Sequence, residues 1–154
     1  MEMNLRRMLQ AVIPRRFASV AFAVLFLGAS QLDAVEKRLP MKGEVFAIQD
    51  RPAFLIVPEK PKPGPIPWVL YAPTLRGLPG GAEKWMFERF LKAGIAIAGV
   101  DVGESYGSPK GRAVYSALHE HLVTKRRLAK QACLLARSRG GLMLYCWAAE
   151  NPEK

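Results

Sequence analysis

Ser138 lies in the run Leu134-Leu135-Ala136-Arg137-Ser138-Arg139-Gly140-Gly141, and the small residues around it suggest chemistry. A largely apolar run over residues 131–135 leads in, and an apolar, helix-forming run over 142–149 leads out. A strand that turns at once into a helix holds the residue at its tip in a sparsely populated backbone conformation. A side chain two positions to either side would collide with the neighbouring strand or helix. Ala136 and Gly140 occupy those two positions, and Gly141 gives further room. A serine presented in this way projects its hydroxyl from the turn, where it can act as a nucleophile. The hydroxyl is weak at neutral pH, so the chemistry also needs a base for its proton and donors for an oxyanion.

A base is not legible in the sequence. The two histidines, His119 and His121, both precede the serine, on a segment of helical spacing, and none follows it. Two residues apart on a helix, they face different directions and make a poor metal pair. They read as solvated helix histidines. Asp101 ends an apolar run and reads as a loop-turning residue that bonds local N–H groups. Cys133 and Cys146 fall within apolar runs and read as buried free thiols. The glycine-rich stretches 77–81 and 103–111 lack both the lysine-serine ending of a P-loop and the G-x-G-x-x-G spacing. No cofactor and no metal is therefore expected. Trp85 and Tyr106 read as packing residues.

The elements that must position Ser138 follow from the apolar periodicity. Residues 43–48 and 53–57 are short strands parted by the polar turn Gln49-Asp50-Arg51-Pro52, a hairpin signal. The proline-rich stretch 58–67 is an exposed, extended connection. Residues 68–72 form a fully apolar strand of the kind buried on both faces of a parallel sheet. A loop over 73–82 opens into a helix over 83–93, where Trp85, Phe87, Phe90 and Leu91 supply most of the apolar surface and Gly94 caps the end. Residues 95–100 are a strand, 112–127 carry helical spacing, and 131–136 are the strand before the serine. The alternation of strand and helix implies a parallel sheet with right-handed crossovers.

From residue 67 to residue 154 this chain resembles the first half of an α/β-hydrolase catalytic domain, of the broad prolyl-oligopeptidase and esterase-like kind. The stretches 69–75, 98–104 and 137–142 carry the likeness, and the one around Ser138 is the most specific. The resemblance implies an α/β fold: a mostly parallel sheet with flanking helices, entered through an antiparallel hairpin. It implies a serine hydrolase acting on an ester or peptide bond of a small-molecule ester or peptide substrate. One oxyanion donor would be the N–H of Arg139, the residue after the nucleophile, and the second would come from the loop Pro73-Thr74-Leu75. Proline has no N–H, so Thr74 or Leu75 supplies it. The chain order serine, acid, histidine would put both missing triad members after Lys154. The expectation is thus an incomplete chain, inactive as it stands, ending after the helix that follows the serine. The alternative is a catalytically inactive hydrolase-like module serving binding or interaction.

Three segments are expected: a signal peptide or membrane anchor over 1–34, the hairpin and proline-rich connection over 35–66, and the hydrolase half over 67–154. Arg6, Arg7, Arg15 and Arg16 make a positive start, and residues 17–28 are apolar apart from Ser19. Small residues at Ser30 or Ala34 suit cleavage, so the protein is expected to be exported, periplasmic or secreted. The apolar run is shorter than the roughly twenty residues of a membrane span, so any membrane contact would come only through an uncleaved leader. Hydrophobic content of 50% and charged content of 23% fit a globular chain. The net charge of +10 is spread over the leader, loops and helix surfaces without interleaved aromatics, so nucleic-acid binding is not expected.

Overall fold

The chain enters its sheet through a tight turn. The computed structural model describes residues 37–154, so the leader expected over 1–34 lies outside the described residues. Strands β1 (Glu44–Ile48) and β2 (Arg51–Ile56) pair antiparallel, with Ile48 opposite Arg51. Gln49 and Asp50 turn the hairpin at φ of 48° and 59°. Positive φ at both central residues matches the twist of the flanking strands. The turn is therefore two residues long, not four, and Arg51 and Pro52 already belong to β2.

Strand β3 (Trp68–Tyr71) follows the proline-rich connection, then helix α1 (Gly81–Lys92), strand β4 (Ala96–Val100), helix α2 (Pro109–Lys125), strand β5 (Cys133–Leu135) and helix α3 (Gly140–Glu150). The sheet order is β1-β2-β4-β3-β5. β2 pairs antiparallel with β4, and β3 lies between β4 and β5, parallel to both. The fold class is α/β, as expected. With two antiparallel and two parallel pairings the sheet is mixed, whereas a mostly parallel one was expected.

The period-2 alternation of the strands divides the core. Trp68, Leu70, Ala96, Ala98 and Val100 face α2 and α3, packing on Tyr115, Leu118, Met143 and Trp147. Val69, Tyr71, Ile97 and Phe54 face the other way, onto Phe87 of α1. Gly99 is part of this packing, because a methyl group there would lie 2.4 Å from the Tyr71 carbonyl oxygen. Trp85 departs from expectation. It lies 67% exposed on the outer side of α1, with the Arg89 guanidinium 5.1 Å above its ring.

Two helices begin earlier than the apolar spacing suggests. α1 starts at Gly81 because Glu83 accepts from the Gly80 N–H at 2.8 Å, one half of a capping box. α2 starts at Pro109, with Ser108 as its N-cap, the hydroxyl accepting from the Gly111 N–H. Gly94, at φ 82°, follows α1 as expected of a helix end. Among the described residues no helix is long and apolar enough to cross a membrane.

Candidate active site

All three parallel strands end at one edge of the sheet, and the turn after β5 lies there. Ser138 sits two residues before α3 begins, at φ 52°. This left-handed conformation is uncommon outside glycine and is costly enough to need support from its surroundings. Support comes from the turn itself. Gly140 N–H donates to the Arg137 carbonyl and Gly141 N–H to the Ser138 carbonyl, both at 3.0 Å. Gly140 is buried against β3, where an added methyl group would lie 3.0 Å from the Ala72 carbonyl oxygen and 3.6 Å from Thr74 Cγ2. A methyl group on Gly141 would meet Ala136 Cβ at 3.9 Å, an ordinary contact. So Ala136, Gly140, Gly141 and Thr74 are gathered at the turn.

The other expected residues take different positions. Arg139 is the N-cap residue of α3, with no side-chain cap on the helix. Thr74 is buried, whereas the Leu75 side chain is 60% exposed and its carbonyl accepts from the Leu78 N–H. Ser138 is exposed, and among the described residues no histidine or carboxylate hydrogen-bonds to it.

Both histidines have other work, which corrects the solvated reading. His119 is buried with its ring between Trp68 and Trp147, 5.9 and 5.8 Å from their centroids. Its Nε2 lies 2.7 Å from the Lys130 carbonyl oxygen, which can only accept, so Nε2 carries the proton. Burial lowers its pKa. His121 stacks on Phe46 at 5.2 Å, half-buried, with Nε2 unpartnered. The thiols also depart from expectation: Cys133 is exposed on β5, and Cys146 is half-buried beside Gly107. β5 pairs with β3 along one side only among the described residues, which leaves Cys133 uncovered.

Three charged residues around the turn, Glu83, Glu104 and Arg137, had no role in the sequence reading, and the side chain of Arg139 had none either. Glu83, buried at the start of α1, accepts from Gly80, from the Tyr71 hydroxyl at 3.3 Å and from Arg137 Nη1 at 2.5 Å. Burial alone would raise its carboxyl, but the Gly80 N–H and the Arg137 guanidinium override that and hold it low. Burial, with the charge of Glu83, pushes the Tyr71 phenol up to about 12. On the other side Glu104 accepts from Arg139 and, at 2.5 Å, from the Tyr106 hydroxyl. Tyr106 is thus an exposed latch at φ 51°, not a packing residue. The spacing of Gly80 and Glu83, three apart at a helix start, was the one local signal for any of these.

Asp101, at the end of β4, does more than turn its loop. Its carboxylate meets Lys37 Nζ at 2.6 Å, and Lys37 also donates to the Leu78 carbonyl at 2.8 Å. Burial raises the Asp101 carboxyl against the pull of Lys37 and Arg76. Among the described residues no group of three or more histidine, cysteine, aspartate or glutamate side chains could hold a metal ion.

No known family model matches the sequence, and no curated protein is significantly similar to it in sequence. Among solved structures the fold is similar to that of a 2,6-dihydroxy-pseudo-oxynicotine hydrolase, at 23% identity over 74% of this chain and with a TM-score of 0.55. The likeness is one of fold. The match spans 34% of that protein, about a third of its length.

Proposed function

We propose that the protein is a serine hydrolase of the α/β-hydrolase type, acting on ester or peptide bonds with Ser138 as nucleophile. One observation carries this reading: Ser138 sits at φ 52° on a turn directly between a parallel strand and a helix. Such strain persists only where the surroundings over-determine it, and a nucleophile elbow is a recurrent reason to keep it. The fold likeness to a hydrolase is consistent with the reading.

In this mechanism the Ser138 Oγ attacks the carbonyl carbon as a base takes its proton. Negative charge develops on the carbonyl oxygen and is met by the Arg139 N–H, at the positive end of α3, and by the N–H of Thr74 or Leu75. Collapse expels the alcohol or amine, and water then releases the acyl group from Ser138. His119 is not the base, since its Nε2–H is committed to Lys130 and its ring to two tryptophans.

A second reading, an inactive hydrolase-like binding module, is favoured by the absence of any histidine or carboxylate bonded to Ser138 among the described residues. One experiment separates the two. The chain is treated with a fluorophosphonate, with and without added imidazole, and its intact mass is followed. Slow formation of a single adduct at Ser138, faster with imidazole and absent in Ser138→Ala, is the hydrolase outcome. No adduct under either condition leaves the binding module.

We also propose export directed by residues 1–34. A reporter fused after Glu36 should cross the inner membrane of a bacterium, and a reporter retained in the cytoplasm would refute this.

A further inference from the structure

Away from Ser138, at the other end of the sheet, lies a cleft of about 1140 Å³. Its walls are the end of β2 with the start of the proline-rich connection, the stretch leading into β1, and the last turn of α1. β2 runs antiparallel to β4, with Ile56 opposite Ile97, so the cleft sits where β4 begins. Ser138 sits where the parallel strands finish. Met41, Leu55, Val57 and Leu91 make the cleft apolar, and Val57 is 47% exposed. Lys42, Lys60, Lys62 and Lys92 also line it, and among the described residues none of the four makes a hydrogen bond or ion pair. Of the lining carboxylates Glu44 is taken up by Arg126, which leaves Glu59 and Glu88 against four ammonium groups. At the negative end of α1 the carbonyls of Arg89, Phe90 and Leu91 accept from the N–H groups of Ala93, Ile95 and Gly94.

We propose that this cleft binds an alkyl carboxylate of medium or greater chain length, its chain on the apolar surface and its head among the lysines. Small-ligand sites are concave and largely apolar, with a few polar groups that fix orientation, and their volumes run to about 1,000 Å³. The cleft has that composition and that size. An alkyl chain laid against Leu55, Val57 and Leu91 takes out of water an apolar surface that the fold leaves open. The excess of lysines selects an anionic head over a neutral or cationic one. A lysine ammonium is a compact point charge, so charge and chain length set the recognition. Pro58, Pro61 and Pro63 fix φ along the stretch that carries Lys60 and Lys62, so little ordering cost remains there for the ligand. The cleft is remote from the serine turn, so the proposal goes beyond the hydrolase reading and does not depend on it.

The test titrates the full chain by NMR, in low-salt buffer at neutral pH, with decanoate and separately with butyrate and decan-1-ol. Decanoate should bind about a hundredfold or more tighter than butyrate, because its longer chain takes more apolar surface out of water. It should bind severalfold tighter than the alcohol, the scale of ion pairs at exposed lysines. Amide signals of residues 41–44, 57–62 and 88–94 should move. Lys60→Gln combined with Lys62→Gln should remove most of the preference over the alcohol, and Val57→Asp should weaken both ten-carbon ligands. All three residues are exposed, so the substitutions leave the core untouched. Equal affinity for decanoate and decan-1-ol, affinities unchanged in both variants, or shifts confined to other residues overturns the proposal. So does sedimentation with phosphatidylglycerol vesicles without binding of free decanoate, which would assign the lysines to a membrane surface. Ser138→Ala should bind decanoate as the parent does, so this result and fluorophosphonate labelling can fail separately, and binding lost in that variant would also overturn the proposal.

Discussion

Gly140 lies so close to Ala72 that a methyl group added to it would sit 3.0 Å from the Ala72 carbonyl oxygen and 3.1 Å from its Cβ. Ala72 is fully buried and its N–H donates to the Leu135 carbonyl, so β3 has little freedom to retreat. Gly140→Ala should therefore cost about 1–3 kcal/mol, the usual penalty of overpacking. Gly141, one residue on in α3, has only an ordinary contact at 3.9 Å waiting for a methyl group. Gly141→Ala should be neutral or stabilise by up to about 1 kcal/mol through helix propensity. Urea unfolding of the two variants gives the comparison, and equal effects would refute the close-approach argument.

The Glu83 network makes a prediction about acid. Its carboxyl is held below the usual range in the folded protein, so its contribution is complete above the unfolded carboxylate pKa, about 4.3. It is lost as pH falls through the lower, folded value. Glu83→Gln should cost about 1–3 kcal/mol at neutral pH, at the lower end because its Arg137 partner is half exposed and screened. The difference from the parent protein should shrink toward pH 3. The Tyr71 phenol, pushed up to about 12 by burial and by Glu83, should titrate lower in the variant. An unchanged Tyr71 absorbance titration would show that Glu83 does not act on it.

Lys37 and Asp101 form a pair whose loss should be asymmetric. Removing Lys37 leaves a largely buried carboxylate without its cation, and Lys37→Met should cost about 3–5 kcal/mol near neutral pH. Burial already raises the Asp101 carboxyl, so the folded state takes up a proton more readily than the unfolded one. Stability therefore declines as pH rises from the unfolded toward the folded pKa. Without Lys37 that window extends upward, and the variant should recover part of its loss on acidification from pH 7 to pH 5. The double variant Lys37→Met with Asp101→Asn should be less damaged than the two single losses added together. Strict additivity in urea midpoints would contradict a direct pair.

Local rules make the backbone frame legible in the sequence. Turn chemistry at Gln49-Asp50, apolar runs at β3 and β4, and small residues around Ser138 depend on neighbours a few positions apart. The Ser108-Pro109 start of α2 was present in the sequence too, hidden within a glycine-rich stretch. What escaped were partnerships across the chain. Lys37 meets Asp101 and Arg137 meets Glu83 over separations of 64 and 54 residues. No periodicity encodes such distances, because the fold itself brings the partners together. His119 was misread for the same reason, since helical spacing placed it on α2 without naming Trp68 and Trp147 as its neighbours. Trp85 failed in the opposite sense, an apolar residue whose helix position turned out to face water.

His119 carries the last prediction. Burial between Trp68 and Trp147 lowers its pKa, so over some range below about 6.5 the unfolded chain binds a proton that the folded one does not. The sign follows directly. Stability is unaffected by this residue above that pH and falls as pH drops from about 6.5 toward the lower, folded value. His119→Phe keeps a ring between the two tryptophans and gives up the bond to the Lys130 carbonyl, at a residue exposed enough for water to replace it. The cost at pH 7.5 should be about 1 kcal/mol. Between pH 7.5 and pH 5 the parent protein should lose more stability in urea unfolding than the variant does. NMR of the ring nitrogens should find the parent His119 taking up its proton at a lower pH than a free imidazole, with the neutral ring's proton on Nε2. Equal slopes in the two proteins, or a ring that titrates no lower than a free imidazole, would show that His119 is open to water and return it to candidacy as the base for Ser138.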